Sequence, residues 1–237
     1  MHLWSKLTHL GDTSLMAPAA LLIGLWLLAS ARRDLLWRWI QLLAFALALV
    51  ALSKIAFIGW GIGIPALDFT GLSGHSTFAT AVLPVMAYLL LHRYPGPIRI
   101  TGVVLGLAMG LMVGISRLVL SFHSSAEVIA GCVLGALVSL GFIWIVDTAH
   151  RPTLSRSLIV ASLVALLAAS SLQAAPTQYW FIRVALYMSG HDHPFVRSRP
   201  AKFSDSGIAL LRQKVFCFAR PEPRRGITSQ NQNFPSD

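Results

Sequence analysis

The sequence predicts an all-α fold: a polytopic membrane helix bundle of about six transmembrane helices. Three observations predict it. Of the 237 residues, 55% are hydrophobic and only 12% charged, against about 25% charge in a soluble domain. The mean hydropathy is +0.67. The apolar residues gather into six separate runs, each close to the roughly 20 residues that cross a bilayer at 1.5 Å per residue.

The six runs are residues 13–31, 35–58, 75–92, 98–120, 126–146 and 157–174. The connections Ala31–Leu35 and His92–Ile98 are short, which makes their neighbours antiparallel, and Pro95-Gly96-Pro97 gives the second connection a firm stop. Gly102, Gly106 and Gly110 form a small-residue stripe on the fourth run, and Gly131 and Gly135 one on the fifth. Both read as faces for close helix packing. Before the first run, Leu3, Leu7 and Leu10 recur at helical spacing beside Trp4, which suits a short surface helix or a frayed end. Residues 1–177 thus form the bundle, and residues 178–237 a basic tail. Within the tail, residues 179–188 are apolar but too short to span and suit an interfacial helix. Beyond His191 the composition is polar and proline-bearing, and the last 35 residues are expected to be poorly ordered. His191 and His193, without further ligands nearby, read as a solvated loop.

The net charge of +10 invites a nucleic-acid reading, which its distribution opposes. Residues 1–177 hold ten Lys/Arg and five Asp/Glu, mostly at the ends of apolar runs, and no nucleic-acid module is present. Such residues set topology and meet lipid headgroups. Arg32, Arg33, Arg38, Arg93, Arg99, Arg151 and Arg156 fall at one set of connections, and Lys6, Lys54 and Arg117 at the other. Short loops rich in Lys/Arg stay in the cytoplasm, so Lys54 and Arg117 face outward. In a bacterium this is an inner-membrane protein with that face in the periplasm. The first run ends in Ala29-Ser30-Ala31, a sequence like a signal-peptidase site. Arg32 and Arg33 follow directly and resist translocation, so the run is read as a first span. The tail then also lies outside, despite nine basic residues. Two cysteines, Cys132 in an apolar run and Cys217 in the tail, make neither a disulfide framework nor a metal pattern.

Ionisable groups beside hydrocarbon are costly and usually functional, and they concentrate between Lys54 and Glu127. His123 and Glu127 lie four apart, so on a continuing helix they share a face. A carboxylate there accepts a proton from one imidazole nitrogen and leaves the other as a lone-pair nucleophile. Arg117, six residues before His123, offers a fork of donors matched to phosphate oxygens, or else snorkels as an interfacial anchor. Ser73-Gly74-His75 precedes an apolar run, so a helix begins near His75 with its positive end available to an anion. Ser73 adds a hydroxyl, and His75 is able to serve as a general acid. A glycine-rich turn with an interfacial histidine is the plainer reading of that segment. Lys54 either pairs with phosphate or snorkels outward. Asp68 either holds one of the cations or is solvated. A small transporter or channel subunit, its charges lining a path, is a further reading of the same residues.

Jointly, the motifs resemble the type 2 phosphatidic acid phosphatase superfamily, the lipid phosphate phosphatases, which share a fold with vanadium haloperoxidases. Its third motif, S-R-x5-H-x3-D, is matched by Ser116, Arg117 and His123, with Glu127 for the Asp. The second, P-S-G-H, is matched by Ser73, Gly74 and His75, with Leu72 for the Pro. The first, K-x6-R-P, is matched by Lys54 alone, with Gly61-Ile62 where Arg-Pro belongs. The resemblance implies that His123 attacks phosphorus and forms a phosphohistidine, Glu127 orients it, and His75 protonates the leaving oxygen. It implies that Lys54, Ser73, Gly74 and Arg117 hold the phosphate oxygens, with no metal and no cofactor. The implied partners are the lipid bilayer and a lipid substrate: a polyprenyl diphosphate, phosphatidic acid, phosphatidylglycerol phosphate or a lipid A phosphate. The missing first-motif Arg leaves a second possibility, a member that binds lipid phosphate without turnover.

Overall fold

The computed structural model describes residues 2–149, 155–169 and 177–196. The expectations for Arg151, for residues 170–174 and for the tail beyond Val196, including Cys217, fall outside them. Among the described residues eight α-helices follow in order: α1 (His2–Leu10), α2 (Thr13–Ala29), α3 (Arg33–Trp60), α4 (Gly74–Leu90), α5 (Gly96–Val119), α6 (Ser125–Thr148), α7 (Arg156–Ala169) and α8 (Thr177–Ser189). A 3-10 turn at Pro65–Leu67 and one isolated bridge, Ile64 to Phe69, interrupt the loop between α3 and α4. No strand occurs among the described residues. The protein is a helical membrane bundle.

Among the described residues, four helical stretches are long and apolar enough to cross a bilayer: Leu7–Ala29, which runs from the end of α1 through α2, and Arg33–Trp60, Gly96–Val119 and Ser125–Thr148. α4 is shorter, at 17 residues, or about 26 Å. It is also the centre of the bundle. Its face from Ser76 to Ala81 is buried, and Val82, Val85 and Leu89 are fully buried. The two glycine stripes explain how it fits. Gly102, Gly106 and Gly110 of α5 lie against Ala87, Pro84 and Thr80, while Gly131 and Gly135 of α6 lie against Ser73, Thr77 and Thr80. A Cβ at Gly106, Gly110 or Gly135 would collide with α4 backbone, and one at Gly131 with the carbonyl of Ser73, the N-cap of α4. α4 can therefore approach both neighbours nearly backbone to backbone, as small-residue interfaces permit.

α2 is built into the core. Met16, Ala19, Ile23, Trp26 and Leu27 are buried, Trp26 Nε1 donates to Ser162 Oγ of α7, and Trp39 Nε1 of α3 donates to Ala20 O. α1 packs against α5 instead of lying on the surface: Thr8 is buried with its Oγ1 2.8 Å from Ser116 Oγ. The short α4–α5 connection, at Leu91–Pro95, lies at the same end as the α2–α3 connection. There, Tyr88 donates to Asp147 Oδ1 at 2.9 Å and Arg99 Nη1 lies 3.6 Å from the same oxygen. The α1–α2, α3–α4 and α5–α6 connections lie at the other end and carry the chemistry described next.

Candidate active site

α6 begins with a capping box. Ser124 is the N-cap, its Oγ accepting from Glu127 N, and Glu127 Oε2 accepts from Ser124 N at 3.1 Å. This reciprocal arrangement satisfies two otherwise orphaned N–H groups. The expectation that His123 and Glu127 share a helical face is therefore corrected. The helix starts at Ser125, and His123 stands before the cap, in the connection from α5. The contact nevertheless forms, with His123 Nδ1 2.7 Å from Glu127 Oε2. A carboxylate only accepts, so Nδ1 carries the proton and Nε2 keeps its lone pair.

Glu127 is fully buried, and its second oxygen reaches a different motif. Oε1 accepts from Thr70 N at 2.7 Å and from Thr70 Oγ1 at 2.6 Å. Ser73 N donates to Glu127 O at 3.2 Å, and Leu72 N to Ser53 Oγ of α3 at 3.0 Å. The loop 70–73 is thus pinned between α3 and α6. Gly71, at φ +148°, lets that loop press on the backbone of Ser53 and Lys54, where a Cβ would crowd Lys54 N at 3.3 Å.

The pinned loop sets the start of α4, with Ser73 as N-cap and Gly74 and His75 in the first turn. First-turn N–H groups have no acceptor within their helix. Ser73 is fully buried, with its Oγ 2.8 Å from Ser76 Oγ. Gly74 is where the cation meets the helix start: a Cβ added there would stand 3.9 Å from Lys54 Nζ.

Arg117 closes α5. Its guanidinium lies 4.3 Å from the centre of the Phe122 ring, and its buried Nε has no hydrogen-bond partner. An unsatisfied buried donor on a permanent cation suits an anionic ligand. Lys54 and Arg117 each act electrostatically on both His75 and His123. The structure therefore brings Lys54, Gly74, His75, Arg117, His123 and Glu127 to one rim of the bundle, with Ser73 beneath them. Burial lowers the pKa of His123, while its hydrogen bond to Glu127 acts in the opposite direction. Asp68 is exposed and caps the 3-10 turn with φ +47°.

Three features escaped the sequence reading. Asp12, in the turn between α1 and α2, places Oδ1 2.9 Å from His75 Nε2. The signal was an acid at the start of an apolar run. Thr70 gave no signal, since its role depends on α6. The third is the segment 177–196, which lies along the outer end of α3. Phe181 sits 5.2 Å from Lys54 Nζ, Phe195 N donates to Ile58 O, and His191 Nδ1 lies 2.9 Å from Gly59 O. The Phe195 ring also covers Gly61, the position where the first motif has Arg. Gly61 caps α3 with φ +68°, and a Cβ there would meet that ring at 2.9 Å. No group of three or more His, Cys, Asp or Glu suited to a metal ion occurs among the described residues.

Comparison with known proteins agrees with the motifs. Residues 65–151 match the model of the PAP2 superfamily. A protein of Klebsiella pneumoniae described as an uncharacterized 22.5 kDa protein in cps region is 36% identical over 200 residues, covering 82% of this chain and 96% of the relative. No solved structure matches the chain. The chain belongs to the PAP2 superfamily, named for type 2 phosphatidic acid phosphatase, and is a membrane-associated member of that phosphatase superfamily.

Proposed function

We propose that this protein is an integral membrane lipid phosphatase that hydrolyses a phosphate monoester or diphosphate through a phosphohistidine, without a metal. The observation that carries the proposal is an imidazole held by a buried carboxylate at the same rim as a buried, unpartnered Arg117 Nε and the Lys54 ammonium at the start of α4. His123 Nε2 attacks phosphorus in line with the leaving oxygen. Lys54, Arg117 and the N–H groups at the start of α4 hold the non-bridging oxygens, and Gly74 keeps that approach open. His75 protonates the leaving oxygen. It then takes a proton from the water that attacks the phosphohistidine, releasing inorganic phosphate and regenerating both histidines. Positioning and charge stabilisation supply most of the catalysis in phosphoryl transfer.

The rim itself supports a lipid substrate. Trp60, Ile62, Ile64, Leu67 and Phe122 are exposed around the charged cluster, as suits a surface seated among headgroups and acyl chains. The distribution of Lys and Arg supports an inner-membrane protein with this rim in the periplasm. The substrate class is then a lipid phosphate of the outer leaflet, such as a polyprenyl diphosphate, phosphatidic acid, phosphatidylglycerol phosphate or a lipid A phosphate. The test is inorganic phosphate release from a panel of these lipids by purified wild type and His123→Ala. Release by the wild type alone is expected. Equal rates in both proteins defeat the assignment.

One observation favours a second reading, in which the protein binds lipid phosphate without turnover. Phe195 covers the position of the first-motif Arg, so a phosphate contact of the family is missing. Vanadate binding by the wild type with no phosphate release and no trapped phosphohistidine would select that reading.

A further inference from the structure

We propose that Asp12 is the positioning residue of the general acid, completing a second histidine–carboxylate pair that the superfamily motifs do not contain. The inference rests on the reading of His75 as the acid that protonates the leaving oxygen. An aspartate at a helix N-cap ordinarily turns its side chain onto the free N–H groups of the first turn. Asp12 is the N-cap of α2 and makes no such bond. Both of its oxygens go elsewhere: Oδ1 to His75 Nε2 at 2.9 Å and Oδ2 to His9 Nδ1 at 2.8 Å.

The turn that carries Asp12 is fixed against the site. Gly11 is buried against Val113 of α5 and the His75 backbone, leaving no room for a Cβ. Thr8 is tied to Ser116, the residue before Arg117. His9 is largely exposed, so its contact holds the outer side of the carboxylate.

Three consequences follow for the chemistry. With Nε2–H donated to Asp12, the remaining nitrogen of His75, Nδ1, is the one that faces a leaving group. The ring is held in one orientation. Asp12 favours the imidazolium through its hydrogen bond and its charge, opposing burial and the positive charges of Arg117 and Lys54, which disfavour a protonated ring. In the first step the bond from phosphorus to the leaving oxygen breaks as the bond to His123 Nε2 forms. The leaving oxygen keeps the electron pair and takes the proton from His75 Nδ1. In the second step Nδ1 recovers a proton from the attacking water. Asp12 keeps its charge throughout and neither gains nor loses a proton.

The experiment compares kcat/KM of full-length wild type, Asp12→Asn and His75→Ala on two substrates. One is phosphatidic acid, whose alkoxide needs a proton to leave. The other is para-nitrophenyl phosphate, whose phenolate does not. Asp12→Asn should lower kcat/KM for phosphatidic acid by about 10- to 100-fold, a part of the roughly 10²–10⁴ that general acid catalysis supplies. For the nitrophenyl ester the loss should stay within about threefold, since that leaving group draws little on the acid. Asn is itself a favourable N-cap, so the fold should survive; an unchanged melting temperature verifies this. An equal loss on both substrates in Asp12→Asn, alongside an unequal loss in His75→Ala, overturns the inference and leaves the general acid standing. An equal loss on both substrates in His75→Ala removes the general acid and the inference with it.

Discussion

The two histidine–carboxylate pairs at the rim are alike in contact and unlike in construction. His123 and Glu127 are four residues apart, and their carboxylate is fully buried among Thr70, Ser124 and the imidazole. His75 and Asp12 are 63 residues apart, and their carboxylate is partly open, with an exposed histidine on its far side. The difference teaches that equal hydrogen bonds carry unequal structural weight. Glu127 ties the second and third motifs together, so chemistry and fold cannot be separated there. Asp12 joins the N-terminal turn to a site that is otherwise already assembled.

The largest expected effects lie on the first pair. His123→Ala should reduce phosphate release by about 10³-fold or more, because no other group replaces the nucleophile of the proposed mechanism. Glu127→Ala should match that loss and also destabilise the protein by about 3–5 kcal/mol, the usual result of removing one member of a buried polar network. The measurements are phosphate release and thermal unfolding in detergent. A Glu127→Ala protein with wild-type melting behaviour would erase the contrast between the two carboxylates.

Next in size is Glu127→Asp, which installs the residue usual in the third motif. The family resemblance alone suggests that this change is mild. The structure argues otherwise, because the longer arm reaches Thr70 with one oxygen and His123 with the other. Shortening it by one methylene should forfeit one of these contacts. A charge-assisted hydrogen bond is worth about 1.5–3 kcal/mol, so activity should fall about 10- to 100-fold. Pairing with Thr70→Val in a double-mutant cycle tests the point, since strongly non-additive losses are expected.

The same contrast marks what was legible in the sequence. The bundle was legible because hydrocarbon demands long apolar runs, and the glycine stripes because close approach demands small residues at regular spacing. The contact between His123 and Glu127 was legible because the two are four apart, although the reason was a capping box and not a continuing helix. Asp12 and Thr70 were illegible because each acquires its role from a distant element. α8 was visible as a short apolar segment, but nothing in its composition pointed to Lys54. Gly61 appeared as a missing Arg, and only packing shows that Phe195 covers the position.

A smaller effect concerns pH. In the proposed mechanism His123 must be neutral at Nε2 to attack, and burial lowers its pKa from the ordinary 6.5. A lowered pKa keeps the ring neutral to more acidic pH, so the acid limb of kcat/KM should lie below about pH 6.5. Glu127 opposes that shift through its charge and hydrogen bond. Glu127→Gln should therefore move the limb further down while lowering the plateau. A wild-type limb above pH 6.5 would show that Glu127 outweighs burial at this site. Profiles measured on one lipid in one detergent decide it.

The smallest expected effect is that of Gly61→Arg, which restores the family's residue. If the protein were simply a member lacking one phosphate contact, the added guanidinium should raise activity. Two features oppose that outcome. Gly61 lies in the left-handed region at φ +68°, where a residue with a Cβ costs about 1–2 kcal/mol. The added side chain also meets the Phe195 ring, which is held over this position by the bond from Phe195 N to Ile58 O. The arginine is therefore turned away unless the segment after α8 yields, and kcat/KM should change by less than about threefold, with a slightly lower melting temperature. Combining Gly61→Arg with Phe195→Ala separates the two obstacles, because the double variant removes the ring and keeps the backbone strain. A gain confined to the double variant would show that Phe195, and not the conformation of the α3 cap, is what keeps a third cation from the phosphate.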